Sequence, residues 1–404
     1  MPAETFDTSP ADQSLPIADT TEWAARANQA ARSVTRTFGR RLWFIPGTHI
    51  GAVSVPSTVR QRVLGPWHYW WQAHYVDCLV DAGRRELTTK VKFDGDARPS
   101  AGRLASRLVT TIRLRNVLRF VNHYYDDMAW LALSTLRLER LAEETRKPGR
   151  RRNAYVRKSL TLQFDSASTE DLGGGTFWST ARDFKNTPAT APVALYFART
   201  GRRERAQALV SWLNAKLFDD ARGLYLDGLR IRNGETILED AVYTYNQGPV
   251  LGALLELGGQ ENLDRAARLV EAVARELTVP GTRIIHGDGT GDGGLFTGIL
   301  VRYLAVAARD DRLPEASRRT AQALVQDTAE ALWQGRHQAG PGTTGETRTT
   351  GEPPKEVPRL IFSPDPLRPA SETYPPGTAV ELSTQLQAWM TFEAAATLTP
   401  AQPK

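Results

Sequence analysis

Two kinds of helical stretch alternate along this chain, and the alternation limits its fold more than any other feature of the sequence. Residues 250–257 and 298–308 are apolar on nearly every face, so helices built from them must be enclosed by protein. Residues 202–217 and 315–332 repeat apolar side chains on one face and carry Arg, Glu and Gln on the other, the pattern of a helix with one side in water. About twelve helical stretches can be traced, with few strands. One begins at Thr21; a second is opened by Gly65-Pro66 and ends near Gly83. The others are expected over 104–120, 126–144, 154–164, 184–199, 202–218, 249–257, 262–277, 295–309, 314–333 and 379–396. Enclosed and half-wet helices fit an inner ring wrapped by an outer one. Such pairs close into an (α/α)6 barrel, a six-hairpin toroid, so the expected fold is all-α.

Residues 1–20 read as a loose tail, and 21–398 as one domain. With 404 residues and 41% hydrophobic content, that domain can bury a sizeable core. The Pro/Gly/Thr-rich stretch at about 335–378 is too long for an ordinary connection and reads as an insertion or lid. A charged fraction of 24% and a mean hydropathy of −0.39 exclude a disordered chain. The formal charge of +6, from 51 basic and 45 acidic residues, is mild and gives no reason to expect a nucleic-acid partner. The densest basic run, Arg146 to Arg152, reads as a solvated loop. The basic residues are mostly Arg, which points to a GC-rich bacterial source. The single cysteine, Cys78, cannot form an intramolecular disulfide and reads as a small buried residue. No apolar run is long enough to cross a bilayer, and the first residues lack the basic and apolar parts of a signal peptide. A cytoplasmic monomer with no membrane partner is the expectation.

The chemistry centres on residues 122–130, Asn-His-Tyr-Tyr-Asp-Asp-Met-Ala-Trp. Asp126 and Asp127 stand at the start of a helix, where adjacent side chains diverge by about 100°. They can therefore face one cleft without sharing a proton, about 5–6 Å apart, nearer the spacing of retaining than of inverting glycosidases. The helix N-terminus favours charge on one carboxyl, while the neighbouring anion and packed rings push the other upward, as a general acid requires. Aspartate is also a common helix cap. The company of Tyr124, Tyr125 and Trp130 favours a site.

Three further stretches suit sugar binding. Residues 67–74 are Trp-His-Tyr-Trp-Trp-Gln-Ala-His, with aromatics on more than one helix face. Rings stack on sugar C–H faces while amides and imidazoles bind hydroxyls, which nominates Trp70, Trp71, Gln72 and His74. Residues 243–248, Tyr-Thr-Tyr-Asn-Gln-Gly, precede a very apolar helix and nominate Tyr245, Asn246 and Gln247 at a cleft rim. Residues 287–293, Gly-Asp-Gly-Thr-Gly-Asp-Gly, make Asp292 a further candidate; they lack the ligand order of a calcium loop. His68 and His74 fall on different helix faces, so no metal site is expected. No P-loop, dinucleotide fingerprint or Gly-x-Ser-x-Gly elbow occurs, and no cofactor is expected.

Together these stretches resemble glycoside hydrolase family 76, whose characterised members are endo-α-1,6-mannanases and related cell-wall transglycosylases. The matching pieces are Tyr124-Tyr-Asp-Asp127, Trp70-Trp71, Tyr243-Thr-Tyr-Asn-Gln-Gly248 and residues 296–303. Gly173-Gly-Gly with Trp178 and Lys185-Asn186 adds a fifth, all in the family's order over roughly 66–305. The resemblance implies an (α/α)6 barrel and a retaining mechanism on a carbohydrate partner, a mannan or related glycan. It implies Asp126 as nucleophile and Asp127 as general acid/base, an assignment the residues alone leave open. It adds Tyr125, Trp178, Lys185 and Asn186 to the sugar-binding candidates.

The chain departs from the family at Met128-Ala129-Trp130-Leu131, where Glu-Gly-Trp-Trp is usual, at 187–190 and at Thr297. These changes are expected to line the sugar subsites. Other readings are a transglycosylase with the same pair, a non-catalytic glycan-binding barrel, and an (α/α)6 sugar epimerase using His74, His123 or His286.

Overall fold

The computed structural model describes residues 20–147, 150–340 and 359–398. Residues 1–19 of the expected tail, 341–358 of the expected insertion and part of the 146–152 basic run lie outside the described residues or their side chains. In chain order the helices are α1 (Thr20–Phe38), α2 (Val59–Leu64), α3 (Tyr69–Thr89), α4 (Ala101–Arg115), α5 (Tyr125–Glu144), α6 (Arg150–Ala167) and α7 (Thr187–Arg199). They continue with α8 (Arg203–Lys216), α9 (Thr244–Leu257), α10 (Gln260–Glu276), α11 (Phe296–Ala308), α12 (Glu315–Gln334), α13 (Ala370–Thr373) and α14 (Leu382–Ala396).

Six of them form a closed inner ring. α3 packs on α5, α5 on α7, α7 on α9, α9 on α11, α11 on α14, and α14 returns to α3. The outer helices α1, α4, α6, α8, α10 and α12 lie against this ring, and the fold is an (α/α)6 barrel. The sequence explains the sorting. α9, α11 and α14 are apolar nearly all round and buried along almost their whole length. α10 buries Ala266, Leu269, Val270 and Val273 on one face and gives its charged face to water.

Glycine allows the inner helices to approach closely. A Cβ at Gly252 of α9 would lie 2.7 Å from the Tyr303 ring of α11, and one at Gly298 of α11 would lie 2.9 Å from the Gln387 backbone of α14. Inside the ring, Arg137 of α5 and Arg302 of α11 each bridge both Asp77 and Asp81 of α3.

Each outer helix carries the chain back, so all six inner helices begin at the same rim. Three expectations need correction. Gly65-Pro66 does not open a helix; α3 starts at Tyr69 and runs on to Thr89. Pro249 sits inside α9, which starts at Thr244, so residues 244–248 form its first turns and not a preceding loop. The expected helix start at 184 is a strand, residues 184–186, which pairs with 228–232. Residues 228–232 and 235–239 form a hairpin about Asn233-Gly234. At the 335–378 stretch, strands 337–339 and 359–361 pair antiparallel and close the base of the insertion.

Candidate active site

Neither aspartate of the pair is a helix cap. The N-cap of α5 is Tyr124, whose side chain makes no capping bond, and Asp126 and Asp127 occupy the second and third positions of the first turn. Backbone donors around them are satisfied otherwise: the Tyr125 N–H donates to Trp178 O at 2.8 Å and the Asp127 N–H to Asp126 Oδ1 at 2.8 Å. Asp126 thus satisfies one first-turn donor from inside the helix, and the Asp127 carboxyl accepts from no helix-start backbone N–H.

The two carboxyls have unlike partners. Asp126 Oδ2 accepts from the Trp178 indole at 3.0 Å, so Asp126 receives two N–H donors that favour its anion. Asp127 Oδ2 accepts from Asn122 Nδ2 at 2.6 Å. Burial among rings raises both pKa values. Asp126 is pushed up to about 7, its two N–H donors opposing the desolvation and the Asp292 charge adding to it. Asp127 is held well above the usual carboxylate range by burial first and then by the Asp126 charge, with Asn122 opposing. Asp126 therefore ionises first and Asp127 keeps its proton.

Aromatic rings wall the rim around this pair. The Tyr124 ring packs on Trp178 at 4.9 Å between centroids, and Tyr245 stacks on Phe296 at 3.8 Å. Trp70 lies 6.5 Å from Tyr245 and 6.2 Å from Phe296. Asp292 joins this wall, since Oδ1 accepts from both the Trp70 indole, at 3.0 Å, and the Trp71 indole, at 2.8 Å. Burial, with the charges of Asp227, Asp126 and Asp292 facing its hydroxyl, pushes Tyr245 well above the usual tyrosine range.

Several nominated side chains lie beneath the rim instead. Gln72 is fully buried and spends its amide on Gly51 and Trp67 backbone groups, which anchors the 50–51 segment to α3. Gln247 likewise bonds Tyr225 N and O and Tyr243 O. The Lys185 ammonium donates to Thr169, Asp171 and Gly174 carbonyls at 2.6–2.8 Å and fastens the glycine loop. Asn186 caps α7 through Ala189 N at 3.1 Å, and Asn246 reaches Asp227 at 3.4 Å. Trp71 is buried with its ring stacked 4.1 Å from His68. His74 is buried between Trp70 and Trp130, and burial pulls its pKa down to about 3. Tyr125 is buried too, so the exposed tyrosine of the pair is Tyr124.

The family departures do not line the rim. Met128, Ala129 and Leu131 are buried in the core, and Thr297 is buried with its hydroxyl on His286 O at 2.8 Å. Sequence reasoning missed Asn122, Asp227 and Phe296 as rim residues, and named Tyr124 as company for the pair while nominating Tyr125 as the sugar ligand. Asn122 had a legible signal, because its Oδ1 accepts from Tyr124 N at 2.9 Å, the local turn that Asn favours. Among the described residues no cluster of three or more His, Cys, Asp or Glu is placed to hold a metal ion.

The fold has counterparts among solved structures. An α-1,6-mannanase from Salegentibacter sp. HEL1_6 is 26% identical, covers 93% of this chain and 99% of its own, and superposes with a TM-score of 0.74. An inactive variant of that enzyme was solved with α-1,6-mannotriose. A family 76 mannosidase from Bacteroides thetaiotaomicron, 17% identical over 93% of this chain and 98% of its own, shares the fold with a TM-score of 0.67. No functionally curated protein matches the chain. The family model described as glycosyl hydrolase family 76 matches residues 22–357, which hold five of the six inner helices and the whole aspartate-bearing rim, and the chain belongs to that family of glycosidases.

Proposed function

We propose that this protein is a retaining glycosidase that cleaves α-1,6-linked mannosyl chains, with Asp126 as nucleophile and Asp127 as general acid/base. The observation that carries the reading is the inequality of the two carboxyls. Asp126 has two N–H donors and the helix N-terminus behind its anion, while Asp127 keeps its proton beside that charge. An Asp126 oxygen attacks the anomeric carbon as the glycosidic C–O bond breaks, and the leaving oxygen takes the Asp127 proton. Asp127 then accepts a proton from water, whose oxygen attacks the same carbon and releases Asp126. Trp70, Tyr124, Trp178 and Tyr245 offer ring faces for sugar stacking.

The mannan substrate rests on family membership and on the α-1,6-mannanase likeness at 26% identity. A panel of α-1,6-, α-1,2- and α-1,3-linked mannooligosaccharides, with proton NMR of the first-formed anomer, tests both parts. Retained α product from the α-1,6 substrate is expected. Inverted product, or full turnover by both Asp126→Ala and Asp127→Ala, would overturn the mechanism. Transfer to added mannosyl acceptors in place of water would reassign the same residues to a transglycosylase. The non-catalytic barrel loses its motive, because the departures at 128–131 lie in the core.

A further inference from the structure

Residues 39–76 hold four arginines and residues 97–125 hold six, yet neither stretch contains a single Asp or Glu. The fold sets the two side by side. The Arg115 guanidinium lies 5.8 Å from the Trp43 ring and donates to Gly65 O at 3.2 Å, which ties the 43–45 loop, the end of α2 and the end of α4 into one surface. Arg113 Nε donates to Leu118 O at 2.9 Å and adds the loop after α4.

This surface is apolar at its tips. Phe44 is 84% exposed, Val117 82% and Leu64 76%, with Leu118 and Trp43 exposed beside them. Trp43, Phe44, Val117 and Leu118 all have positive φ, between 46° and 64°, a region that L side chains, and β-branched valine above all, rarely enter. The chain thus keeps large apolar side chains in water at a conformational cost. Apolar exposure on this scale marks a contact surface.

The charges around the tips are uncompensated. Among the described residues Arg41, Arg60, Arg113 and Arg119 have no ion-pair partner, whereas Arg84, Arg205 and Arg319 elsewhere on the surface pair with Glu144, Asp165 and Glu315. Arg107 has Arg103 and Arg41 as its charged neighbours. The face also adjoins the cleft. The loop after α2 runs into Trp67–Trp71 and the loop after α4 into Asp126, and the Tyr69 hydroxyl joins them by donating to Phe120 O at 2.7 Å.

We propose that this face docks on the headgroup layer of an anionic membrane. Phe44, Leu64, Val117 and Leu118 enter the interface, the arginines meet lipid phosphates, and the cleft mouth is held at the lipid surface. A polyanionic glycan or nucleic acid would engage the arginines and leave the aliphatic tips in water, so lipid fits both halves of the surface. The proposed association is at the surface; no helix among the described residues is long and apolar enough to cross a membrane. It amends the expectation of no membrane partner.

Vesicle flotation with the full chain tests this, using phosphatidylcholine alone or mixed with phosphatidylglycerol over a salt series. Binding to the mixed vesicles only, weakening with salt, is expected. Arg113→Gln and Arg119→Gln should each lower affinity about five-fold, the effect of one arginine near an anionic surface. Phe44→Ser/Leu118→Ser should lower it further still, and Leu64→Ser/Val117→Ser should repeat the loss. Melting temperatures and turnover of soluble oligosaccharide should stay at wild-type values in all four. Arg84→Gln and Arg319→Gln should bind as wild type. No binding at low salt would overturn the proposal. Loss in the arginine variants with wild-type binding in both apolar variants would also overturn it, leaving a plain polyanion patch.

Discussion

Asn122 donates from Nδ2 to Asp127 Oδ2 at 2.6 Å while its own Oδ1 is fixed by the Tyr124 N–H at 2.9 Å. The bond favours Oδ2 as the carbonyl-type acceptor, which places the proton of neutral Asp127 on Oδ1. Asn122 thus selects which oxygen can protonate a leaving group, as a positioning residue.

Asn122→Ala should lower kcat/KM on unactivated mannosides by about 10- to 100-fold, the scale of a misplaced catalytic group. Aryl mannosides with acidic leaving groups need little protonation and should be turned over near the wild-type rate. The basic limb of the pH profile should move upward, because a bond that favours the Asp127 anion is gone. Equal losses on both substrates with an unmoved limb would reduce Asn122 to a structural role.

The acid limb should follow Asp126, whose carboxyl is pushed up to about 7 by burial foremost. Activity should rise through neutral pH and fall again as Asp127 loses its proton, with both limbs belonging to the coupled pair. Asp292 charge raises both carboxyls. Asp292→Asn keeps an acceptor for the Trp70 and Trp71 indoles and removes that charge, so both limbs should shift to lower pH by a few tenths of a unit. A pH profile of kcat/KM checks this, and an upward shift would contradict it.

The helical alternation was legible because burial on all faces or on one face is a local periodic property. What the sequence hid depended on distant partners or single-residue register. Gln72 looked like a sugar ligand because the Gly51 backbone that occupies it lies 21 residues away. Tyr125 and Tyr124 differ by one position at a helix start, and only the helix phase decides that Tyr124 faces out. The hairpin at 228–239 carried an Asn-Gly turn signal, with φ of 52° and 83° at Asn233 and Gly234, but its pairing with 184–186 is non-local. The basic face is invisible as a run because two separated stretches build it, and the one contiguous basic run, at 146–152, lies elsewhere in the sequence.

The pair should also cost stability. Asp126 titrates near 7 in the folded chain and near about 3.9 when unfolded, so between those values the folded state holds a proton the unfolded state has lost. Stability therefore falls as pH rises through that window. Asp126→Asn is neutral throughout and can still accept from Trp178. It should be more stable than wild type at pH 8 by about 1–2 kcal/mol, after discount for partial exposure, with no difference near pH 4. Calorimetry at both pH values checks the sign, and a variant less stable at pH 8 would contradict it.

Deeper in the barrel the balance runs the other way. Burial would raise the Asp77 carboxyl, but Arg137 and Arg302 outweigh it and hold the group below its usual range. Each arginine bridges Asp77 and Asp81, linking α3 to α5 and to α11. Arg302→Met leaves two buried carboxylates on one guanidinium and should destabilise by about 3–5 kcal/mol. Adding Asp77→Leu removes the stranded charge and should recover part of that loss. Since the folded pKa of Asp77 is depressed, its contribution is present above the unfolded value and disappears as pH falls below about 4. The gap between wild type and Arg302→Met should therefore narrow in acid. Asp77 is two helical turns, about 10 Å, beyond Trp70, so the limbs of the activity profile should stay in place while the protein remains folded. Urea titrations at neutral and acid pH measure the gap, and a gap that widens in acid would refute this account of the cluster.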